Sequence, residues 1–451
     1  MKYLIDAIES NSNSPFMVFE ERTYTYQDLF ESILNYRKKI PNCILRGSVV
    51  AIQADYSFNC VALFYALALN RSIIIPLSID SKQKHNDYIH IGQAQHVVQL
   101  DKQGLLDCSK IETEGNQNEF YNQLRSYDHA GLVLFSSGSS GPPKGIVHDL
   151  RKLADAYKKP GKAWRTLIFL QIDHIGGINT LFYNVRNNGT IVVPRSRMPD
   201  EICQCIEQYQ VELLPTSPTF LNLMIISDAI SRYDLSSLKM ITYGTEPMAE
   251  STLKRIHELL PNVRFKQTYG LSETGILNTK SRDDGSLWVK IGGPGFDIKI
   301  VENKLWIRSD FSMLGYLNAD CAFEKSGFFN TGDVVEQDGE WLKILGRESE
   351  LINVGGNKVF PAEVESVLQK MPEVEDVLIH GIPNPLTGQM VAAVVKTREK
   401  MEVGEFKNRM RLFCKPFLEP YKIPIKIVIS DEGLHSERFK KNRKAVSEKF
   451  S

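Results

Sequence analysis

The chain has 451 residues, too many for one ordinary hydrophobic core, so two or three domains are expected. Lys+Arg and Asp+Glu both number 54, with 42% hydrophobic and 24% charged residues; this is a globular composition without the excess positive charge of a nucleic-acid or anionic-membrane binder. The seven scattered cysteines include no C-x-x-C pair or zinc spacing, which predicts free thiols in a reducing compartment.

At the amino terminus, Met1 to Asp6 reaches an acid before any apolar stretch of signal-peptide length, so a cytoplasmic protein is expected. The strand-like run 47–52 is followed by a helical pattern over 58–70 and a second strand over 72–76. The run Ile73 to Leu77 is far shorter than the roughly 20 residues of a membrane helix, and no membrane span is expected. Similar pairs follow: a strand at 165–170 before a helix near Asn179, and a strand at 239–243 before a helix at 249–260. Such alternation predicts parallel sheets covered on both faces. After about Ser281 the pattern changes to short strands with turn signals, suggesting a small antiparallel, barrel-like segment over 285–345. From Ser349 onward, one helical stretch at 361–371 lies among apolar strands such as 377–380 and 391–395, a separate α+β domain.

One loop carries chemistry by itself. The strand Gly131 to Phe135 runs into Ser136-Ser137-Gly138-Ser139-Ser140-Gly141-Pro142-Pro143-Lys144-Gly145. Small residues let backbone approach an anion, glycines turn successive N–H groups inward, and hydroxyls and a lysine add donors for phosphate oxygens. A flexible Ser/Gly linker has similar composition; against it, the loop leaves a buried-type strand directly and holds its lysine between Pro143 and Gly145. The kinase and GTPase P-loop spacing is absent.

This loop resembles the signature of the adenylate-forming superfamily: acyl- and aryl-CoA ligases, luciferases and peptide-synthetase adenylation domains. Further segments resemble that family in its own order. Leu170 to Gly177 is similar to the segment whose histidine, here His174, lies beside the acyl pocket; Gly176 and Tyr243 are expected to contact substrate with it. Gly244-Thr245-Glu246-Pro247 resembles the segment packed on adenine. In Tyr269-Gly270-Leu271-Ser272-Glu273, the resemblance implies a tyrosine stacked on adenine, a hydroxyl on the α-phosphate and a glutamate holding Mg²⁺. Such an ion suits carboxylate and phosphate oxygens, and a purine suits an aromatic face. Thr331-Gly332-Asp333 followed by Gly346-Arg347 resembles the pair that reads the ribose hydroxyls. Gly355 and Gly356 lie in a segment similar to the loop that lines the thiol's path. The run Lys440-Lys441-Asn442-Arg443-Lys444 stands where the family has its catalytic lysine. Lys444 is the expected adenylation lysine; because Arg443 replaces the usual glycine, Lys441 and Lys440 remain alternatives.

The resemblance implies an α/β protein. Residues 1–347 would form a large domain of two doubly wound parallel-sheet subdomains plus a small β-barrel-like one. Residues 348–451 would form a mobile α+β domain, hinged at Ser349. The implied reaction uses ATP and Mg²⁺ to turn a carboxylic acid into an acyl-adenylate, then passes the acyl group to the thiol of CoA or of a phosphopantetheinyl carrier protein. Lys444, Glu273, Ser272 and Lys144 would serve catalysis. A stand-alone amino-acid adenylation enzyme is the alternative, with Asp173 near the position that binds a substrate ammonium.

Overall fold

The computed structural model describes residues 1–40, 44–100, 104, 106–112, 118–136, 142–320, 323–435 and 441. The predicted strand–helix alternation forms two mixed sheets of seven strands, each with a parallel centre. In the first sheet the spatial order is Arg264–Gln267, Met240–Tyr243, Leu213–Thr216, Arg165–Leu167, Thr190–Val192, Pro15–Phe19 and Arg22–Thr25. In the second it is Gly315–Tyr316, Gly145–Asp149, Gly131–Phe135, Ile73–Leu77, Val49–Gln53, His96–Leu100 and Leu106–Lys110. The central strands Val49–Gln53, Ile73–Leu77 and Gly131–Phe135 are apolar on both faces, as strands covered on two sides must be. Helix Phe58–Leu69 fits this setting: its first ten residues are buried except Asn59, and Ser57 caps its first turn by accepting from the Cys60 amide at 3.2 Å.

The antiparallel region begins earlier than the composition change suggested. Strands Tyr269–Leu271 and Gly275–Ser281 already belong to a seven-stranded antiparallel sheet that continues to Trp341–Arg347. Its pairing runs as an open path from Tyr269–Leu271 to Phe296–Val301, and no pair among the described residues closes it into a barrel. Residues 352–429 carry a fourth sheet, with Gly388–Thr397 at its centre, and a hydrophobic core of their own around Val359, Ile379 and Phe406. The sequence reading expected one helix here. A second, Val403–Cys414, buries Phe406, Met410 and Cys414, four residues apart on one stripe.

Polar contacts join this last unit to the rest. Ser251 and Thr252 hydroxyls donate to Gln369 Oε1 at 3.2 Å, and the Lys441 amide donates to Glu246 Oε2 at 3.4 Å. No described helix is long and apolar enough to cross a membrane.

Candidate active site

A cleft of about 1600 Å³ opens where the sheets and the small unit meet, lined among others by Lys144, His174, Glu246, Tyr269, Glu273 and Lys441. The buried strand Gly131–Phe135 delivers Ser136 to its edge. There the Ser136 amide donates to the Lys144 carbonyl at 3.1 Å, and the Lys144 amide donates to Ser136 Oγ at 3.2 Å, closing the mouth of the phosphate-type loop. Ser137, Gly138, Ser139, Ser140 and Gly141 lie outside the described residues. Asn318, which sequence reasoning passed over, clamps the loop's far end. Its amide donates to the Pro143 carbonyl at 2.9 Å, while its Oδ1 accepts from the Gly145 amide at 3.0 Å.

Tyr316 was also missed, and it links the loop to the acid. Lys144 Nζ sits 4.9 Å from its ring centre, and its hydroxyl donates to Glu273 Oε1 at 2.9 Å. Burial, reinforced by Glu273, raises the Tyr316 hydroxyl's pKa, so it stays a donor. Ser272 lines the cleft beside Glu273.

The second cluster is Tyr269, Asp333 and Arg347. Asp333 and Arg347 are cross-strand partners in the antiparallel sheet, which brings Arg347 Nε to 2.9 Å from Asp333 Oδ1. The Tyr269 hydroxyl donates to Asp333 Oδ2 at 2.5 Å. Asp333 is 7% exposed; burial raises its pKa, while Arg347 and the Tyr269 hydrogen bond oppose the shift. The turn before it is set by Gly332 at φ +71° and by Thr331 Oγ1, which accepts from the Asp333 amide at 3.0 Å.

The adenine-type segment approaches its neighbour too closely for any side chain at Gly244: a Cβ there would lie 2.5 Å from Thr268 Oγ1 and 2.7 Å from its carbonyl. Thr245, Glu246 and Pro247 line the cleft. Glu246 Oε1 accepts from the Thr219 amide at 2.8 Å, and Oε2 from the Lys441 amide at 3.4 Å. His174 also lines the cleft and caps helix Ile175–Arg186 through Nδ1, which accepts from the Gly176 amide at 3.0 Å. Gly176 is packed beneath it, where a Cβ would meet the Leu170 side chain at 2.3 Å. Gly270 lines the cleft as well.

Several expected site residues do not line the cleft or lie outside the described residues. Tyr243 is 1% exposed, packed in the core behind the cleft rather than lining it. Gly355 and Gly356 form the turn between strands Ile352–Val354 and Asn357–Val359, at φ +59° and +88°, and do not line the cleft. Asp173 is buried with Oδ2 accepting from the Ser78 and Ser81 hydroxyls at 2.7 and 3.2 Å. Lys440 and Lys444 fall outside the described residues, whereas Lys441 stands in the cleft wall.

The sequence pattern of the AMP-binding enzyme family matches residues 5–317, most of the chain. The chain belongs to the AMP-binding enzyme family. The pattern of the AMP-binding enzyme C-terminal domain matches residues 363–441, ending on Lys441. Among relatives in this family, an indoleacetate–CoA ligase of Aromatoleum aromaticum is 30% identical over 329 residues, covering 67% of this chain and 63% of that protein. In three such relatives the matched stretch spans only 63–65% of their length. A 2-succinylbenzoate–CoA ligase of Bacillus subtilis is 25% identical over 92% of this chain and 91% of its own. The fold is shared with solved family members. The o-succinylbenzoate CoA synthetase of Bacillus subtilis, in complex with its acyl-adenylate intermediate, superposes with a TM-score of 0.77 at 20% identity, over 98% of this chain and 97% of that one. An anthranilate CoA ligase in complex with anthranoyl-AMP gives 0.83 at 17% identity, over 99% and 96%.

Proposed function

We propose that this AMP-binding enzyme joins a carboxylic acid to the thiol of CoA in two steps. A carboxylate oxygen attacks the α-phosphorus of ATP; the new O–P bond forms as the bridging α–β P–O bond breaks and pyrophosphate leaves. The thiol sulfur then attacks the acyl carbon, AMP departs, and the thiol proton goes to solvent. The observation that carries the reading is the convergence, in one cleft, of the Lys144–Tyr316–Glu273 chain with the Tyr269–Asp333–Arg347 cluster. The first suits a polyphosphate, with Lys144 and the loop's hydroxyls as donors. The second suits a nucleoside: the Tyr269 ring offers a face to adenine, and the Asp333 carboxylate can take ribose hydroxyls.

Among the described residues no three His, Cys, Asp or Glu side chains cluster for a metal, and Glu273 has one oxygen, Oε2, without a protein partner. That set fits Mg²⁺, which binds through one or two carboxylates and substrate phosphates; Glu273 would hold it, and it would offset phosphate charge.

We assign the adenylation cation to Lys441. It lines the cleft and lies within the matched C-terminal pattern, while Lys444 lies beyond it. Residues 348–451 would turn as a unit at Ser349 between the two steps, which the polar contacts at Ser251 and Thr252 would permit. The relatives named as CoA ligases favour CoA over a carrier protein as the acceptor. Asp173 is buried and does not line the cleft, which counts against an amino acid as substrate. A cytoplasmic location agrees with the free cysteines among the described residues.

The test is acid-dependent exchange of labelled pyrophosphate into ATP across indoleacetic, 2-succinylbenzoic, anthranilic, long-chain fatty and amino acids, then CoA consumption with the best acid. Exchange with one of the non-amino acids, followed by thioester, is expected. No exchange with any acid, or exchange with amino acids alone, would overturn the proposal.

A further inference from the structure

The site as described leaves one buried carboxylate in the cleft wall without a role. Glu365, on helix Pro361–Leu368, is 3% exposed and yet lines the cleft. Its Oε1 accepts from the Ile379 amide at 2.9 Å, and its Oε2 lies 3.1 Å from Lys441 Nζ. The same ammonium donates to the Val377 carbonyl at 2.6 Å. An ammonium has three N–H donors. Two are thus anchored in the small unit, and among the described residues the third has no partner. The main chain of Lys441 is held as well: its amide reaches Glu246 Oε2 of the large domain, and it pairs with His435 across a β-bridge. Asp376, 8% exposed, adds a second buried carboxyl whose charge Lys441 and His435 help to stabilise against burial and against Glu365.

A glutamine could accept the Ile379 amide hydrogen bond equally well, so the fold alone does not explain a charge at position 365. Burying a carboxylate is costly unless it is paired and hydrogen-bonded, and here the pairing partner is Lys441. A lysine is a point charge on a long flexible stem; its rotamer freedom must be surrendered at the moment of reaction unless it has been surrendered beforehand. We infer that Glu365 is the positioning residue for Lys441: with the Val377 carbonyl it holds the ammonium so that one N–H is presented to the reacting oxygens during acid activation. This rests on the assignment of Lys441 as the adenylation cation.

A double-mutant cycle tests it, with the best acid from the pyrophosphate-exchange panel as probe. Lys441→Ala should cut the adenylation rate ~10²–10³-fold, the scale of losing one preorganised charge. Glu365→Gln should cut kcat for adenylation ~10-fold through lost positioning, with the KM for ATP within about twofold of wild type. Glu365→Asp should recover part of the loss. On the Lys441→Ala background, Glu365→Gln should cost nothing further. Supplied with synthetic acyl-adenylate and CoA, Glu365→Gln should form thioester at the wild-type rate. If the double variant is slower than Lys441→Ala by the full Glu365→Gln factor, Glu365 does not act through Lys441 and the inference falls. Wild-type adenylation by Lys441→Ala would instead remove the lysine assignment, and slow adenylation by Lys444→Ala in the same assay would identify its replacement. Should Glu365→Gln fail to fold, Glu365→Asp, which keeps the charge and retracts it by one methylene, carries the same cycle.

Discussion

Asp333 shows how a residue's expected role is refined by its neighbours. Both its oxygens are engaged, one by the Tyr269 hydroxyl and the other by Arg347. A carboxylate oxygen accepts more than one hydrogen bond, so ribose hydroxyls would join this network rather than displace it. Asp333→Asn should therefore raise the KM for ATP by about 10–100-fold, the loss of one charge-assisted bond of roughly 1.5–3 kcal/mol. An unchanged KM in steady-state pyrophosphate release would remove Asp333 from nucleotide binding. Glu273→Gln should cut adenylation by ~10²-fold or more while leaving the thermal midpoint little changed; pyrophosphate release at the wild-type rate would refute it. A third residue, His148, bears on stability alone. It is fully buried in strand Gly145–Asp149, and among the described residues neither ring nitrogen makes a hydrogen bond of ordinary length. Burial pushes its pKa down to about 4, partly opposed by the Ser272 backbone and helped by Lys152. The neutral ring fits the fold, so its contribution is whole above the unfolded value near 6.5 and is lost as pH falls from there toward 4. At pH 5 the cost is about 2 kcal/mol by that linkage. His148→Leu should narrow the gap between urea-unfolding stabilities at pH 7 and pH 5 by that amount, and an unchanged gap would show that the ring is not a buried neutral base.

Among the elements, those with a clear period were legible from sequence and those set by long-range contacts were not. Val49–Gln53, Ile73–Leu77, helix Phe58–Leu69 and helix Glu250–Leu259 fall within a few residues of their expected limits, because apolar runs and helical stripes are local signals. Helix Val403–Cys414 was passed over because it opens on Val403-Gly404, poor helix formers without a side-chain cap, and its stripe carries only Phe406, Met410 and Cys414. Composition singled out the loop between Ser136 and Gly145, but not its clamp. Asn318 is 173 residues from Gly145 in sequence, and nothing local marks it. Tyr316 was invisible for the same reason, lying 43 residues from the Glu273 it contacts. Because Asn318 makes both bonds at the loop's end, Asn318→Ala should cost about 1 kcal/mol per neutral bond lost. The KM for ATP should rise about 5–30-fold, since the loop is where those bonds are spent. A fall in thermal midpoint with no change in KM would mean that Asn318 serves the sheet edge rather than the loop.

At the scale of the whole molecule, the polar contacts between the two cohesive units include the Ser251, Thr252 and Ser366 hydroxyls, the Gln369 side-chain amide and the Lys441 main-chain amide on Glu246. The Ser251 and Ser366 hydroxyl oxygens are 3.4 Å apart across this boundary. A Ser251→Cys/Ser366→Cys pair would place two sulfurs close enough to bridge and tie the small unit in the orientation that brings Lys441 to the cleft. The oxidised variant should still exchange pyrophosphate but lose thioester formation by ~10-fold or more, with reduction restoring it. Equal thioester rates in both redox states would show that no turn of the small unit separates the two steps.

Arg347 ends its strand two residues before Ser349, the joint proposed for that turn, and its guanidinium is pinned to Asp333 in the cluster proposed to hold the nucleoside. If the cluster takes the nucleoside and the unit turns at Ser349 as proposed, Arg347 would couple occupancy to orientation, and linkage would make that coupling reciprocal. Whatever factor the bound nucleoside contributes toward one posture of the small unit, that posture returns to nucleoside affinity. A molecule that grips only the ribose cluster would thus act at a distance as an orientational lock, and tying the joint would change the residence time of AMP without touching a single atom that binds it.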